Sequence, residues 1–117
     1  MIIFIQIYND IMLMLASKVD PKTGVKSFVI GESKVGKSPL KTTRYGRQMS
    51  TQWIGKHLKD LHSSNPGLVK EIYDSLKSGN KPDTILYRPT PDNLRRFESL
   101  PTALDASELL NTLKVLF

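Results

Sequence analysis

Apolar residues dominate the first third of the chain in runs that predict β-strands. Ile2–Tyr8 is β-branched and aromatic, and Asn9-Asp10 provides turn residues before a second apolar run, Ile11–Val19. Both faces of the second run are apolar at its start, which is typical of a central strand. A helix over residues 9–18 is the competing interpretation. The favoured arrangement places Ile2–Tyr8 beside the second strand.

Turn residues after Val19 predict a β-hairpin. Asp20-Pro21 favours a type I turn, and Gly24 supplies the positive φ that closes it. Residues 25–30 are apolar again, so they are expected to pair with Ile11–Val19 as the third strand.

Helical periodicity begins near residue 51. Ser50 or Thr51 is predicted to cap a helix that ends near His62, and its apolar stripe consists of Ile54, Leu58 and Leu61. Asn65-Pro66 predicts the start of a second helix, because an N-cap residue precedes a proline at the first helical position. Gly79 is expected to end that helix.

The remaining elements are shorter. Residues 83–88 predict a strand, and Thr90-Pro91 predicts a helix that ends near residue 100. Thr102 or Asp105 is expected to cap a final helix, whose apolar face consists of Leu109, Leu110, Leu113 and Phe117.

The order of these elements predicts one compact α+β domain over residues 1–117. An N-terminal antiparallel hairpin or three-stranded sheet would pack against about four short helices, with one further short strand. Residues 31–50 lack an apolar stripe and predict a basic, flexible loop.

Composition narrows the class of protein. The chain has 117 residues and no cysteine, which excludes disulfides and Cys-based zinc sites and fits a cytoplasmic location. Asn9 and Asp10 interrupt the N-terminal apolar run, which is shorter than the roughly 20 residues of a spanning helix. We therefore expect no transmembrane segment.

Positive charge is concentrated in the middle of the chain. Residues 17–59 contain ten Lys and Arg against Asp20 and Glu32, a net charge of +8. Residues 60–117 contain seven Lys and Arg against eight Asp and Glu, a net charge of −1. The basic segment is expected to form one continuous face that suits a polyanion.

Part of this segment matches a phosphate-binding pattern. Residues 31–38, GESKVGKS, fit G-x-x-x-x-G-K-[ST], and residues 80–83 read NKPD. Over these twelve residues the chain resembles the P-loop NTPase family. The resemblance implies that Lys37 would reach nucleotide phosphates and that Ser38 would bind Mg²⁺.

Other features do not fit that family. Pro39 and Gly46 interrupt the helix that should follow the loop, and the chain has no Walker B-like strand that ends in an acidic residue. A strand that follows a hairpin is expected to be antiparallel, whereas the family has a parallel sheet. We therefore predict a protein that is not an enzyme, with no catalytic residue, cofactor or metal. A minimal P-loop-like nucleotide binder remains an alternative.

Basic residues interleaved with an aromatic ring predict a nucleic-acid interface. Cations pair with phosphates, and an exposed ring stacks on a base. The predicted site, a Lys/Arg-rich loop and the adjoining helix face, consists of Lys34, Lys37, Lys41, Arg44, Tyr45, Arg47, Lys56 and Lys59. Binding through phosphates would be non-specific for sequence and open to DNA or RNA.

Besides the nucleotide binder, one other alternative accompanies this hypothesis. An accessory or assembly protein of viral or phage type would use the same cations to bind an acidic protein or an anionic membrane surface, and its C-terminal helix would form a homo-oligomer.

The helices over 51–62 and 66–78 imitate a helix-turn-helix, but the second exposes a balanced charge, which favours simple packing of a helical pair. His57 and His62 lie five residues apart, which does not match metal-ligand spacing and favours two surface histidines.

Overall fold

The computed structural model is a mixed α+β protein and describes residues 2–8, 11–33, 42–89, 95–98 and 103–117. Its elements are β1 (Ile2–Tyr8), β2 (Ile11–Val19), β3 (Lys26–Ser33), β4 (Thr42–Thr43), β5 (Gly46–Arg47), α1 (Thr51–His62), α2 (Pro66–Lys77), β6 (Asp83–Pro89), β7 (Arg95–Glu98), α3 (Ala106–Leu113) and a 3₁₀ turn, Lys114–Leu116. The α+β prediction is confirmed. Three α-helices lie within the described ranges, not the four that the sequence predicted.

The chain forms two compact units. Met1–Pro39 and Asp83–Pro101 form the first, which we call the sheet unit. Leu40–Pro82 and Thr102–Phe117 form the second, the helical unit. The single domain expected from the sequence stays a prediction.

The sheet unit contains five strands in the order β1-β2-β3-β6-β7. The first three are antiparallel, and Leu15 of β2 pairs with Ile30 of β3, both of them fully buried. The turn between these strands has the predicted chemistry: the Asp20 carboxylate accepts the backbone N–H of Lys22 at 2.8 Å, and Gly24 has φ 72°. The predicted hairpin is confirmed.

The other half of the sheet differs from the sequence prediction. β6 lies parallel to β3, with Gly31 opposite Ile85, so the sheet is mixed and not purely antiparallel. Arg95–Glu98, placed within a predicted helix, is a strand that pairs antiparallel with β6. That helix is wrong at these four residues, because pairing with β6 supplies backbone hydrogen bonds that local propensity does not reveal. The rest of its range, 90–94 and 99–100, lies outside the described residues.

Side-chain caps fix the predicted starts of α1 and α2 in the helical unit. The Ser50 hydroxyl accepts the Trp53 N–H at 3.2 Å and begins α1. The side-chain Oδ1 of Asn65 accepts the Leu68 N–H at 3.3 Å and begins α2, with Pro66 at the first position. Each cap stabilises its helix by about 1 kcal/mol.

The third helix packs against α1. Asp105 caps α3 by accepting the Glu108 N–H at 3.0 Å, and its own N–H donates to the buried Thr51 hydroxyl at 2.9 Å. Leu109 and Leu113 are fully buried within the chain. The homo-oligomer expected through the C-terminal helix stays a prediction. In the part of the chain that the structure describes, no helix combines the length and apolar character needed to cross a membrane.

Candidate functional site

The first glycine of the phosphate-loop pattern lies in a strand. Gly31 pairs with Met14 on one side and with Ile85 on the other, inside β3. A Cβ on Gly31 would lie 2.8 Å from the Met14 Cε and 3.0 Å from the Ile85 Cγ1, so glycine allows these side chains to cover the strand. Residues 34–38, the remainder of the pattern beyond β3, lie outside the described residues.

The two units divide the basic segment. Its ten Lys and Arg are split evenly: Lys18, Lys22, Lys26, Lys34 and Lys37 belong to the sheet unit, and Lys41, Arg44, Arg47, Lys56 and Lys59 belong to the helical unit. The helical unit has nine Lys and Arg against five Asp and Glu, a net charge of +4. Of the eight predicted site residues, Lys34, Lys37 and Lys41 lie outside the described ranges.

Part of the predicted loop is a regular hairpin. β4 and β5 pair antiparallel, and Arg44 and Tyr45 form the two-residue turn between them. The Thr43 hydroxyl donates to the Gly46 carbonyl at 2.7 Å and accepts the Tyr45 N–H at 3.1 Å. Gly46 has φ 100°, a conformation that other residues rarely adopt. The prediction of irregular structure is therefore wrong at these residues, because a small hairpin presents Arg44 and Tyr45.

Two predicted cations flank the predicted aromatic ring. The Arg44 guanidinium and the Lys56 ammonium each lie 5.1 Å from the centroid of the half-buried Tyr45 ring. We call Arg44, Tyr45 and Lys56 the Tyr45 cluster. Lys56 also pairs with Asp60 at 2.7 Å, and the hydrogen bond from its ammonium to that carboxylate raises the Lys56 pKa. The structure thus joins a turn and a helix in one cationic, aromatic cluster.

Arg47 and Lys59 add exposed positive charge to the same unit. Neither side chain forms an ion pair with any residue in the described ranges. Lys59 is a neighbour of Lys56 on α1, because residues three apart share a helix face. A Cβ on Gly46 would lie 3.2 Å from the Gln52 Oε1, so β5 runs beside the first turn of α1.

The other nearby aromatic and imidazole groups belong to the interior. Trp53 is only 1% exposed, so its ring cannot stack on a ligand. The His57 ring contacts the Trp53 ring edge-on, with 4.4 Å between centroids, and its buried Nε2 has no hydrogen-bond partner among the described residues. Burial lowers the His57 pKa, an effect that Asp60 opposes and Lys56 reinforces. His57 is therefore a half-buried histidine and not the surface residue that the spacing suggested.

The structure contains a second aromatic cluster that the sequence did not predict. The Phe117 and Tyr73 rings stack with 4.9 Å between centroids, and His62 meets Phe117 edge-on at 5.3 Å. The sequence predicted that Phe117 lies on the apolar face of the final helix, yet Phe117 is 45% exposed, because the 3₁₀ turn after α3 changes the helical register. Lys70, Tyr73 and Lys77 recur at i, i+3 and i+7, a signal that would have indicated a shared face.

The described residues show no metal-binding constellation: within these ranges, no group of three or more His, Asp or Glu side chains is placed to hold an ion. Comparisons with protein-family models, curated proteins and solved structures find no match to this chain.

Proposed function

We propose that this chain is a small nucleic-acid-binding protein without enzymatic activity, and that the Tyr45 cluster, Arg47 and Lys59 contact the ligand. The observation that supports the proposal is the Tyr45 ring at a turn, with two cationic groups each 5.1 Å from its centroid. Such a group provides a surface on which a base can stack and charges that pair with the adjoining phosphates.

A base is expected to replace one of the cations that lie above the Tyr45 ring, because base stacking is stronger than the cation–π contact. A cation–π contact at an exposed site is worth about 0.5–1 kcal/mol, whereas stacking of a base on an aromatic side chain is worth about 1–3 kcal/mol. A bound strand therefore displaces Lys56 or Arg44 from the ring, and the displaced cation pairs with a phosphate. The hairpin holds the ring in place, which reduces the entropy lost on binding.

The proposed recognition is non-specific, because Lys and Arg contacts to phosphates carry no sequence information. Lys34, Lys37 and Lys41 stay predicted phosphate contacts, and the ligand would be cytoplasmic DNA or RNA. An acidic protein, an anionic membrane and a nucleotide at residues 31–38 are the alternative ligands. The stacking ring favours nucleic acid, because a carboxylate-rich surface offers charge but no base.

Salt-dependent binding tests the proposal. Fluorescence anisotropy with labelled single-stranded DNA, single-stranded RNA and duplex DNA of unrelated sequences should show association at 50 mM salt. About five phosphate contacts predict a loss of roughly a hundredfold in single-strand affinity between 50 and 200 mM salt. Absence of association with all three ligands at 50 mM salt would refute the proposal. Anionic vesicles, an acidic protein and ATP with Mg²⁺ are the parallel ligands that test the alternatives.

Tyr45 provides a matched pair of variants. Tyr45→Phe keeps the ring and should bind like the wild type, whereas Tyr45→Leu should lose about five- to 150-fold in single-strand affinity, from the stacking energy of one base. Equal affinity of the two variants would show that the ring does not stack on the ligand.

A further inference from the structure

The second aromatic cluster has the same chemistry as the first. We call Tyr73, Phe117, Lys70 and Lys77 the Phe117 cluster. The Lys70 ammonium lies 5.6 Å from the Phe117 ring and 5.8 Å from the Tyr73 ring, and the Lys77 ammonium lies 5.5 Å from the Tyr73 ring. Asp74 pairs with Lys70 at 2.7 Å, whereas Lys77 has no carboxylate partner within the described ranges.

Nearly half of the Phe117 surface is exposed to solvent. Phe117 is 45% exposed while it stacks on Tyr73, and Tyr73 itself is only partly buried. Together the two rings form a stacked pair with one open side and ammonium groups beside it. This combination suits a nucleic acid, because a base can stack on the rings and a phosphate can pair with the lysines.

One ridge of α1 connects the two clusters. Lys56, Lys59 and His62 are spaced three residues apart, so each is a surface neighbour of the next. The first belongs to the Tyr45 cluster, and the last contacts Phe117 edge-on at 5.3 Å. Six residues of helix span about 9 Å along the axis, and the exposed Lys59 occupies the middle.

We infer that a single strand of nucleic acid binds the helical unit at two stacking points, Tyr45 at one end of this ridge and the Tyr73–Phe117 pair at the other. The inference relies on the proposed function for the class of ligand. Single strands are favoured over duplexes, because only unpaired bases can leave the stack to lie on a protein ring. This axial rise is the shortest possible path, so at about 3.4 Å per stacked nucleotide a strand needs at least about three nucleotides to span the ridge and at least about five to reach both rings.

Length dependence tests the inference. In NMR titrations with a thymidine trinucleotide and a thymidine dodecanucleotide, the amide resonances of Gly46 and Leu116 report the two ends of the ridge. The dodecanucleotide should shift both in the wild type with a single dissociation constant. It should bind about a hundredfold more tightly than the trinucleotide, because the second contact becomes intramolecular.

Phe117→Leu removes the second ring, and Phe117→Tyr is its control. Phe117→Leu should weaken dodecanucleotide binding about tenfold or more and leave the trinucleotide affinity reported by Gly46 unchanged. Phe117→Tyr should behave as the wild type. An equal loss for both lengths would show that Phe117 only maintains the fold. Unchanged dodecanucleotide affinity would also overturn the inference, while a loss in Tyr45→Leu would still support the proposed function.

Lys77→Gln offers a second test that does not alter a ring. The slope of log affinity against log salt concentration should become shallower by about 0.7 for the dodecanucleotide, because one phosphate contact is lost. The slope for the trinucleotide, measured from the Gly46 resonance, should not change. An unchanged dodecanucleotide slope would overturn the inference. If the wild type binds neither oligonucleotide, the proposed function fails together with it.

Discussion

Gly55 of α1 faces Thr112 of α3 so closely that no side chain fits between them. A Cβ built on Gly55 would lie 2.9 Å from the Thr112 Cγ2 and 3.5 Å from the Leu109 Cδ1. Sequence propensity counts Gly55 only as a weakness of α1, worth about 1 kcal/mol relative to Ala. In the structure the absence of a side chain allows two helices of the helical unit to approach.

Gly55→Ala should therefore destabilise the protein although it improves helix propensity. Overpacking of a filled interior costs about 1–3 kcal/mol, and the propensity gain offsets about 1 kcal/mol of it. Chemical denaturation should show a net decrease of about 1 kcal/mol in the free energy of unfolding. A variant more stable than the wild type would show that α3 moves freely away from α1.

Thr112→Ser combined with Gly55→Ala should restore stability, because it removes the methyl group that the new Cβ at residue 55 would contact. Thr112→Ser alone serves as the control for the lost methyl contact. The double-mutant cycle isolates the steric term from the propensity term.

Thr51 links the start of α1 to the start of α3. Its buried hydroxyl accepts the Asp105 N–H at 2.9 Å, so Thr51→Val leaves that donor without an acceptor. We expect a loss of about 1–3 kcal/mol in the free energy of unfolding. Thr51→Ser keeps the acceptor and should lose less. A loss in Thr51→Ser with none in Thr51→Val would indicate that the methyl group, not the hydrogen bond, stabilises this junction.

His57 should make stability depend on pH below neutrality. Burial lowers its pKa from the ordinary value of 6.5, so between the lowered and the ordinary pKa the unfolded chain binds more protons than the folded chain. The free energy of unfolding should therefore decrease as the pH falls from about 7.5 through 6.5, and this contribution should level off below the lowered pKa. Thermal unfolding of His57→Gln over the same range should lack this component. A pH profile identical to that of the wild type would assign the dependence to other groups.

Asp60 restrains a cation of the proposed interface. Its carboxylate pairs with the Lys56 ammonium at 2.7 Å, and Asp60→Asn would release that ammonium for a phosphate. We expect about three- to tenfold tighter binding of single strands at 50 mM salt and a log–log salt slope steeper by about 0.7. Asp83→Asn raises the net charge equally but lies in the sheet unit. An equal gain in both variants would indicate a general charge effect and no specific role for Lys56.

Local chemistry predicted the parts of the fold that local hydrogen bonds determine. Ser50 and Asn65 cap their helices as expected, and Gly24 adopts the positive φ that the hairpin turn requires. In these elements the residues that identify a terminus also satisfy its unpaired backbone groups.

Pairing between distant segments explains why parts of the sheet were not predicted from the sequence. β7 is four residues long and β4 and β5 are two each, too short for periodicity to distinguish a strand from another state. The parallel pairing of β3 with β6 joins segments more than fifty residues apart, which no short window reveals. In the candidate site, the sequence predicted Arg44, Tyr45 and Lys56, which the structure brings together, but the exposure of Phe117 depends on a register change at a 3₁₀ turn.

The path of the chain also limits how this protein can be divided. The polypeptide passes from one unit to the other three times, after Pro39, Pro82 and Pro101, so each unit is built from two separate stretches. A gene truncated after codon 101 would encode a product without Leu104, Leu109 and Leu113, all buried in the helical unit. Expression of either unit by itself would require a linker or a circular permutation that reconnects its two stretches.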